Sequence, residues 1–168
     1  GFKVYENKVG VMTNAPSFDW HITNLRQYMN ATPVQPTSAN WSDLELTPLG
    51  SATGGIGLPG DFSSPSRFVR VAFLRAQILM EDIENDGIIE FFHILNNVAM
   101  VKGSVITKDG KDEITQYSSC MNLEKGLYYY KSYNNNQINM VDMHKEDLDS
   151  SEMKIFPYND IQVVNILN

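Results

Sequence analysis

The chain has 168 residues, a length that suits one domain, and its 42% hydrophobic and 11% aromatic content is enough for a core and argues against disorder. With 13 Lys plus Arg against 20 Asp plus Glu the net charge is −7, which disfavours nucleic acid and anionic membrane surfaces as partners. No apolar run reaches bilayer length, and one cysteine, Cys120, excludes an internal disulfide framework and points to a reducing compartment.

The chain opens on Gly1 without an initiator Met or a signal-peptide layout, so residues upstream are expected to have been removed. Residues 2–6 alternate apolar and polar, and Asn7-Lys8 can turn them back into 9–13, which predicts a hairpin. Val9, Val11 and Met12 fit a buried strand that Pro16 and Ser17 stop, because Pro has no ladder donor and Ser can cap a helix. Asn14 is then stranded at a strand end. Its amide N–H groups have the geometry an oxyanion acceptor needs, although an Asx turn ahead of Pro16 explains the same residue. A helix over 18–29 follows, with Phe18, Ile22, Leu25 and Met29 on one face and Ser17 as its cap.

Residues 30–61 hold four prolines and a cluster of glycines and read as a long irregular arm. Trp41, Leu44, Leu46 and Leu49 are too apolar for a solvated linker, so the arm is expected to pack on something, a second subunit included. Ser64-Pro65 predicts a helix start, with Ser64 as cap and a broadly apolar face running to about Met80. Arg67 falls in its first turn, where a cation opposes the helix dipole. That position is either an ordinary surface arginine or one held there by a tertiary partner. An acidic turn over 81–86 leads into a helix from Ile88 to about Met100. Three alternating segments, 113–121, 127–133 and 137–143, then predict an antiparallel meander, and a short strand is expected at 153–156 before the apolar tail 163–167. Helices segregated from a meander make the fold α+β rather than a parallel α/β wind.

Several motifs carry little. Gly55, Gly57 and Gly60 match a dinucleotide-loop spacing, but no strand precedes them and Asp61 would repel a pyrophosphate. His21, His93 and His144 lack metal-ligand spacing, so no metal or other cofactor is expected. Cys120 lies in a predicted strand without a nearby cation and reads as a buried, inert thiol. The sequons at Asn30 and Asn40 matter only in a secreted eukaryotic protein.

Five stretches in order carry a resemblance: Val-Met-Thr-Asn-Ala-Pro-Ser-Phe-Asp-Trp (11–20), Thr-Asn-Leu-Arg-Gln-Tyr (23–28), Gly-Leu-Pro-Gly-Asp-Phe-Ser-Ser-Pro-Ser-Arg-Phe-Val-Arg (57–70), Phe-Phe-His-Ile-Leu-Asn-Asn-Val-Ala (91–99) and Tyr-Tyr-Tyr-Lys-Ser-Tyr (128–133). Together they resemble the choloylglycine hydrolase family, which contains bile salt hydrolases and penicillin V acylases, and they cover about the C-terminal half of such an enzyme. The resemblance implies an αββα sandwich of the N-terminal-nucleophile (Ntn) hydrolase type, of which residues 1–168 are the C-terminal portion of a single domain with an extended arm at 30–61. It implies a cysteine at the mature N-terminus that attacks an amide while its own α-amine serves as base; a free α-amine titrates at about 8, close enough to neutrality for that task.

In that family the asparagine that donates to the oxyanion matches Asn14, and the arginine beside the nucleophile matches Arg67, so both become candidate catalytic residues. The nucleophile itself has no match, since Gly1 cannot supply it. The resemblance therefore implies conjugated bile salts, or penicillin V, as substrate; the N-terminal half of the same enzyme as a partner; a homotetramer assembled through the 30–61 arm; and the bacterial cytoplasm as location. The alternative of another class is a non-catalytic structural or binding half that folds against a partner polypeptide.

Overall fold

Phe68 closes the core of the first of two compact units, which comprise residues 1–80 and 81–168. The computed structural model describes residues 1–80 and 86–168. The acidic turn expected at 81–86 falls on residues 81–85, outside those described.

In the first unit, α1 (Phe18–Leu25) runs into a 3-10 turn over Arg26–Tyr28, and α2 (Ser64–Gln77) packs against it. The first helix is thus shorter than expected, its last turn tightening instead of continuing to Met29. Ser63, not Ser64, holds the N-cap of α2, with Pro65 in the first turn. Phe68 projects between the helices, edge-on to Phe18 with ring centroids 6.3 Å apart and stacked on His21 at 4.6 Å. Val11 and Ala72 complete the buried cluster, and Val9, Ile22, Leu25 and Val71 pack around it. Residues 64–74 of α2 are buried or half-buried, and the exposed part is its C-terminal end, Arg75, Ala76 and Gln77.

The hairpin expected over residues 2–13 does not form. The backbone of that stretch is bonded by side chains instead of a ladder: Asn7 Nδ2 donates to the Val11 carbonyl at 3.0 Å, and Gly10 N donates to Asn7 Oδ1 at 2.8 Å. Arg75 Nη1 donates to the Val9 carbonyl at 2.9 Å. Gly10 sits at φ +67°, a left-handed conformation that favours glycine, and the Arg75 guanidinium lies over it. Val11 is buried while Met12 points outward, as an alternating segment would give, but no partner strand lies beside it among the described residues.

The arm is more ordered than its composition predicts. It contains a two-stranded antiparallel hairpin, β1 (Ala39–Trp41) and β2 (Leu44–Leu46), paired Ala39 to Leu46, with Ser42 in a left-handed conformation in the turn. Gln35 pins the arm by donating to the Gly50 carbonyl and to Thr53 Oγ1. Trp41 and Leu44 remain exposed, 74% and 62%, so the described residues of this unit leave uncovered the apolar side chains that made the arm conspicuous.

In the second unit α3 (Asp86–Asn96) packs on β3 of an antiparallel meander, β3 (Tyr117–Asn122), β4 (Leu127–Ser132) and β5 (Asn139–Asp142), in the order β3-β4-β5. α3 is shorter than expected, and β3 starts four residues later than the alternation does. Cys120 pairs with Tyr129 on one face of the sheet, while Tyr128 and Tyr130 share the other and stack on each other. Cys120 is only partly buried, and desolvation pushes its thiol up. The short strand expected at 153–156 is absent. Side chains tie down the residues just beyond it: Tyr130 OH accepts from Asn159 N, Asn134 donates to Asp160, and Gln162 accepts from Asn136 N.

Truncating a fully buried aromatic leaves a cavity that this small core cannot refill. Phe68→Ala is expected to lower unfolding stability by about 3–5 kcal/mol, read by urea denaturation against the parent chain.

Candidate active site

The start of α2 determines the site. Ser63 makes no side-chain cap of its own. Asp61 does the work two residues earlier, accepting from Ser63 N at 2.8 Å and from Ser66 Oγ at 2.6 Å. The hydroxyl of Ser63, then that of Ser66 and the Ser63 amide, hold the Asp61 carboxyl at about 2, well below its usual range. One turn further along, Arg70 Nη1 donates to the carbonyls of Asp61 and Pro59 at 2.7 and 2.9 Å. Residues 59–63 are thereby fastened to the helix from both sides.

Arg67 uses that fastened loop as its support. Its Nε donates to the Phe62 carbonyl at 3.1 Å, and its Nη2 donates to Asn14 Oδ1 at 2.9 Å across 53 residues of sequence. The cation in the first turn has a tertiary partner, and Asn14 does not spend its side-chain oxygen on a local turn. A guanidinium has donors only, so the Asn14 amide must present its oxygen to Arg67 and turn Nδ2 with its two hydrogens the other way. Asn14 is exposed and Arg67 half-buried, and Nη1 takes part in neither of these bonds.

The sequence reading passed over His21 except as a metal-ligand candidate. It is buried in α1, and its Nε2 lies 3.2 Å from the backbone oxygen of Asn14 and 3.2 Å from Thr13 Oγ1. Thr13 Oγ1 also accepts from Ser64 Oγ at 3.0 Å, which joins the Asn14 segment to the first residue of α2. The available signal was a lone histidine on the apolar side of a helix, seven residues after Asn14, and it is not specific enough to find this role.

A side-chain amide and a guanidinium fixed side by side can bind an oxygen on which negative charge develops, the demand made by acyl transfer from an amide. The chain belongs to the choloylglycine hydrolase family of linear amide C–N hydrolases, whose family model matches residues 1–156.

It is 53% identical over 165 residues to the bile salt hydrolase/transferase of Clostridium perfringens, a match covering 98% of this chain and 50% of that protein. The crystal structure of a variant of the conjugated bile acid hydrolase from the same organism superposes with a TM-score of 0.89 at 52% identity, over 99% of this chain and 50% of that one. Penicillin V acylase from Agrobacterium tumefaciens shares the fold more distantly, with a TM-score of 0.58 at 24% identity over 84% of this chain and 38% of that one. These neighbours are Ntn hydrolases. The chain spans about half the length of the curated relatives it matches.

The depressed Asp61 carboxyl has a consequence for pH. Because its folded value lies below its unfolded one, its stabilising contribution is complete above about pH 4 and is lost as pH falls toward 2. A carboxyl-detected NMR titration should place the Asp61 midpoint near 2, and Ser66→Ala should move it upward.

Proposed function

We propose that the chain is the C-terminal part of a bile salt hydrolase-like amidase, an Ntn hydrolase with an αββα sandwich, in which Asn14 and Arg67 are catalytic. The observation that carries this reading is the bond between Arg67 Nη2 and Asn14 Oδ1, which aims the Asn14 Nδ2 hydrogens away from the guanidinium. The nucleophile is a cysteine at the mature N-terminus of the half outside this chain. Its α-amine takes the thiol proton, and the thiolate attacks the carbonyl carbon of the substrate amide. Asn14 Nδ2 donates to the oxygen of the tetrahedral intermediate, and Arg67 favours the thiolate by its charge. The amine leaves with the returned proton, and water releases the acid from sulfur. The relatives at 53% and 43% identity are bile salt hydrolases/transferases, which supports bile salts as substrates, and the reading takes these to be the glycine and taurine conjugates.

Nothing in this chain replaces the cysteine, so the 168 residues alone are inactive on this reading. The exposed residues Trp41 and Leu44 on the β1–β2 hairpin support the view that the 30–61 arm crosses a subunit boundary in a homotetramer. Among the described residues no helix is long and apolar enough to cross a membrane, and the reading puts the enzyme in the bacterial cytoplasm.

The test compares this chain alone with the same chain joined to the N-terminal half of the C. perfringens relative, on glycocholate, taurocholate and penicillin V. The joined protein is expected to hydrolyse the bile salts and the chain alone nothing, and Asn14→Ala should lower kcat by about 10²–10³-fold. Turnover by the chain alone, or full activity in Asn14→Ala, overturns the reading; faster turnover of penicillin V reassigns the substrate. Deleting residues 36–50 should dissociate the joined protein in sedimentation, and an unchanged oligomer would remove the arm from assembly.

A further inference from the structure

The bond to Arg67 fixes the rotation of the Asn14 amide but not the position of the backbone that carries it. That backbone lies where residues 14–16 bend, outside any helix or strand, so something else must locate it. We infer that His21 is the positioning residue for Asn14: its imidazole Nε2–H donates to the Asn14 carbonyl and sets where the amide stands. This inference rests on the reading of Asn14 as the oxyanion donor.

The geometry is specific. A carbonyl oxygen accepts only, so the hydrogen must be on Nε2, from which the Asn14 oxygen is 3.2 Å away. The same N–H is shared with Thr13 Oγ1 at 3.2 Å, and Thr13 Oγ1 takes the Ser64 hydroxyl. His21 thus refers Asn14 to the start of α2, three residues before Arg67. The ring cannot drift, because it is 1% exposed and stacked on Phe68 with an interplanar angle of 13°. Nδ1 is buried and has no hydrogen-bond partner among the described residues. A polar group kept in a core with one nitrogen unmatched is a poor choice for packing alone, since an unpaired buried polar atom is costly. Its other nitrogen therefore has to be worth that cost, and the Asn14 backbone is what it holds. Asn14 is then fixed twice over, through its carbonyl by His21 and through its side chain by Arg67.

The joined protein described above, this chain with the N-terminal half of the C. perfringens relative, is the material for the test. His21→Phe keeps the stacking on Phe68 and removes the donor; it should lower kcat about 10- to 100-fold with KM within about twofold, as expected when a catalytic group is displaced by part of an ångström. His21→Gln can place an amide N–H where Nε2 stood, and it should recover most of that loss. Ile22→Val, a core change on the next residue, should lower stability without lowering kcat, which separates positioning from general weakening. A long-range 15N–1H spectrum of the parent should show the His21 hydrogen on Nε2. Equal losses in the Phe and Gln variants, full kcat in His21→Phe, or a hydrogen on Nδ1 alone each overturn the inference. Failure of the underlying reading looks different: Asn14→Ala would then keep full activity. Should His21→Phe not fold, the Gln variant and the tautomer still decide the matter.

Discussion

A hydrogen bond between two side chains of different hydrogen-bonding character governs this site. Asn14 alone could present either its oxygen or its nitrogen outward, and the two choices are opposite chemically, one repelling an oxyanion and the other binding it. Arg67 has no acceptor to offer, so its Nη2 selects the orientation with the oxygen inward. Donation by a cation also polarises the amide and strengthens the hydrogens it turns outward. The rest of the first unit can be read as the apparatus that keeps these groups within 2.9 Å: Phe68, one residue after Arg67, anchors α2, and Asp61 and Arg70 fasten the loop whose Phe62 carbonyl supports the guanidinium.

Magnitudes explain why a cation survives in the first turn of α2. Opposing the helix dipole costs about 0.3–1 kcal/mol at a surface position. A hydrogen bond to a charged group returns about 1.5–3 kcal/mol, and Arg67 makes two of them. Tertiary bonding wins over the local penalty. Ser63 occupies the N-cap without a side-chain cap bond: its hydroxyl donates to Ser66 Oγ and its amide donates to Asp61 Oδ1.

What could be read from the chain follows from where the controlling interactions lie. The three strands of the meander and the body of α2 were legible because alternation and helical spacing are local, and each strand finds its partner next to it in sequence. Residues 2–13 carry the alternation of a strand, but pairing is not a local property, and here Asn7 and Arg75 side chains hold that backbone. The β1–β2 hairpin was hidden by prolines and glycines on either side of it. At the site, local chemistry marked Asn14 at a strand end and the misplaced charge of Arg67, each with a bland alternative; that the two are partners was not visible, and the family resemblance alone gave both a catalytic role. His21 escaped because a histidine facing a core gives the same pattern whether it fills space or holds a backbone.

An oriented donor has little catalytic value while water can replace it. At the effective dielectric of a wetted surface a charge–dipole contact is worth a small part of its value in a dry site, since the interaction scales inversely with that dielectric. Asn14 is exposed in this chain, so on the proposed reading the orientation that Arg67 gives its amide is a preparation whose benefit waits on a cover. On the proposed reading that cover and the nucleophile arrive together, from the same missing half. Supplying both at once makes physical sense: a thiolate delivered to a wet site would meet a donor too weak to help it, and a dry site without the thiolate would hold a stronger donor and nothing to react. On that reading the donor can be built in advance, because the bonds and packing that set its geometry lie within residues 13–70, while the two elements that make it effective need not be.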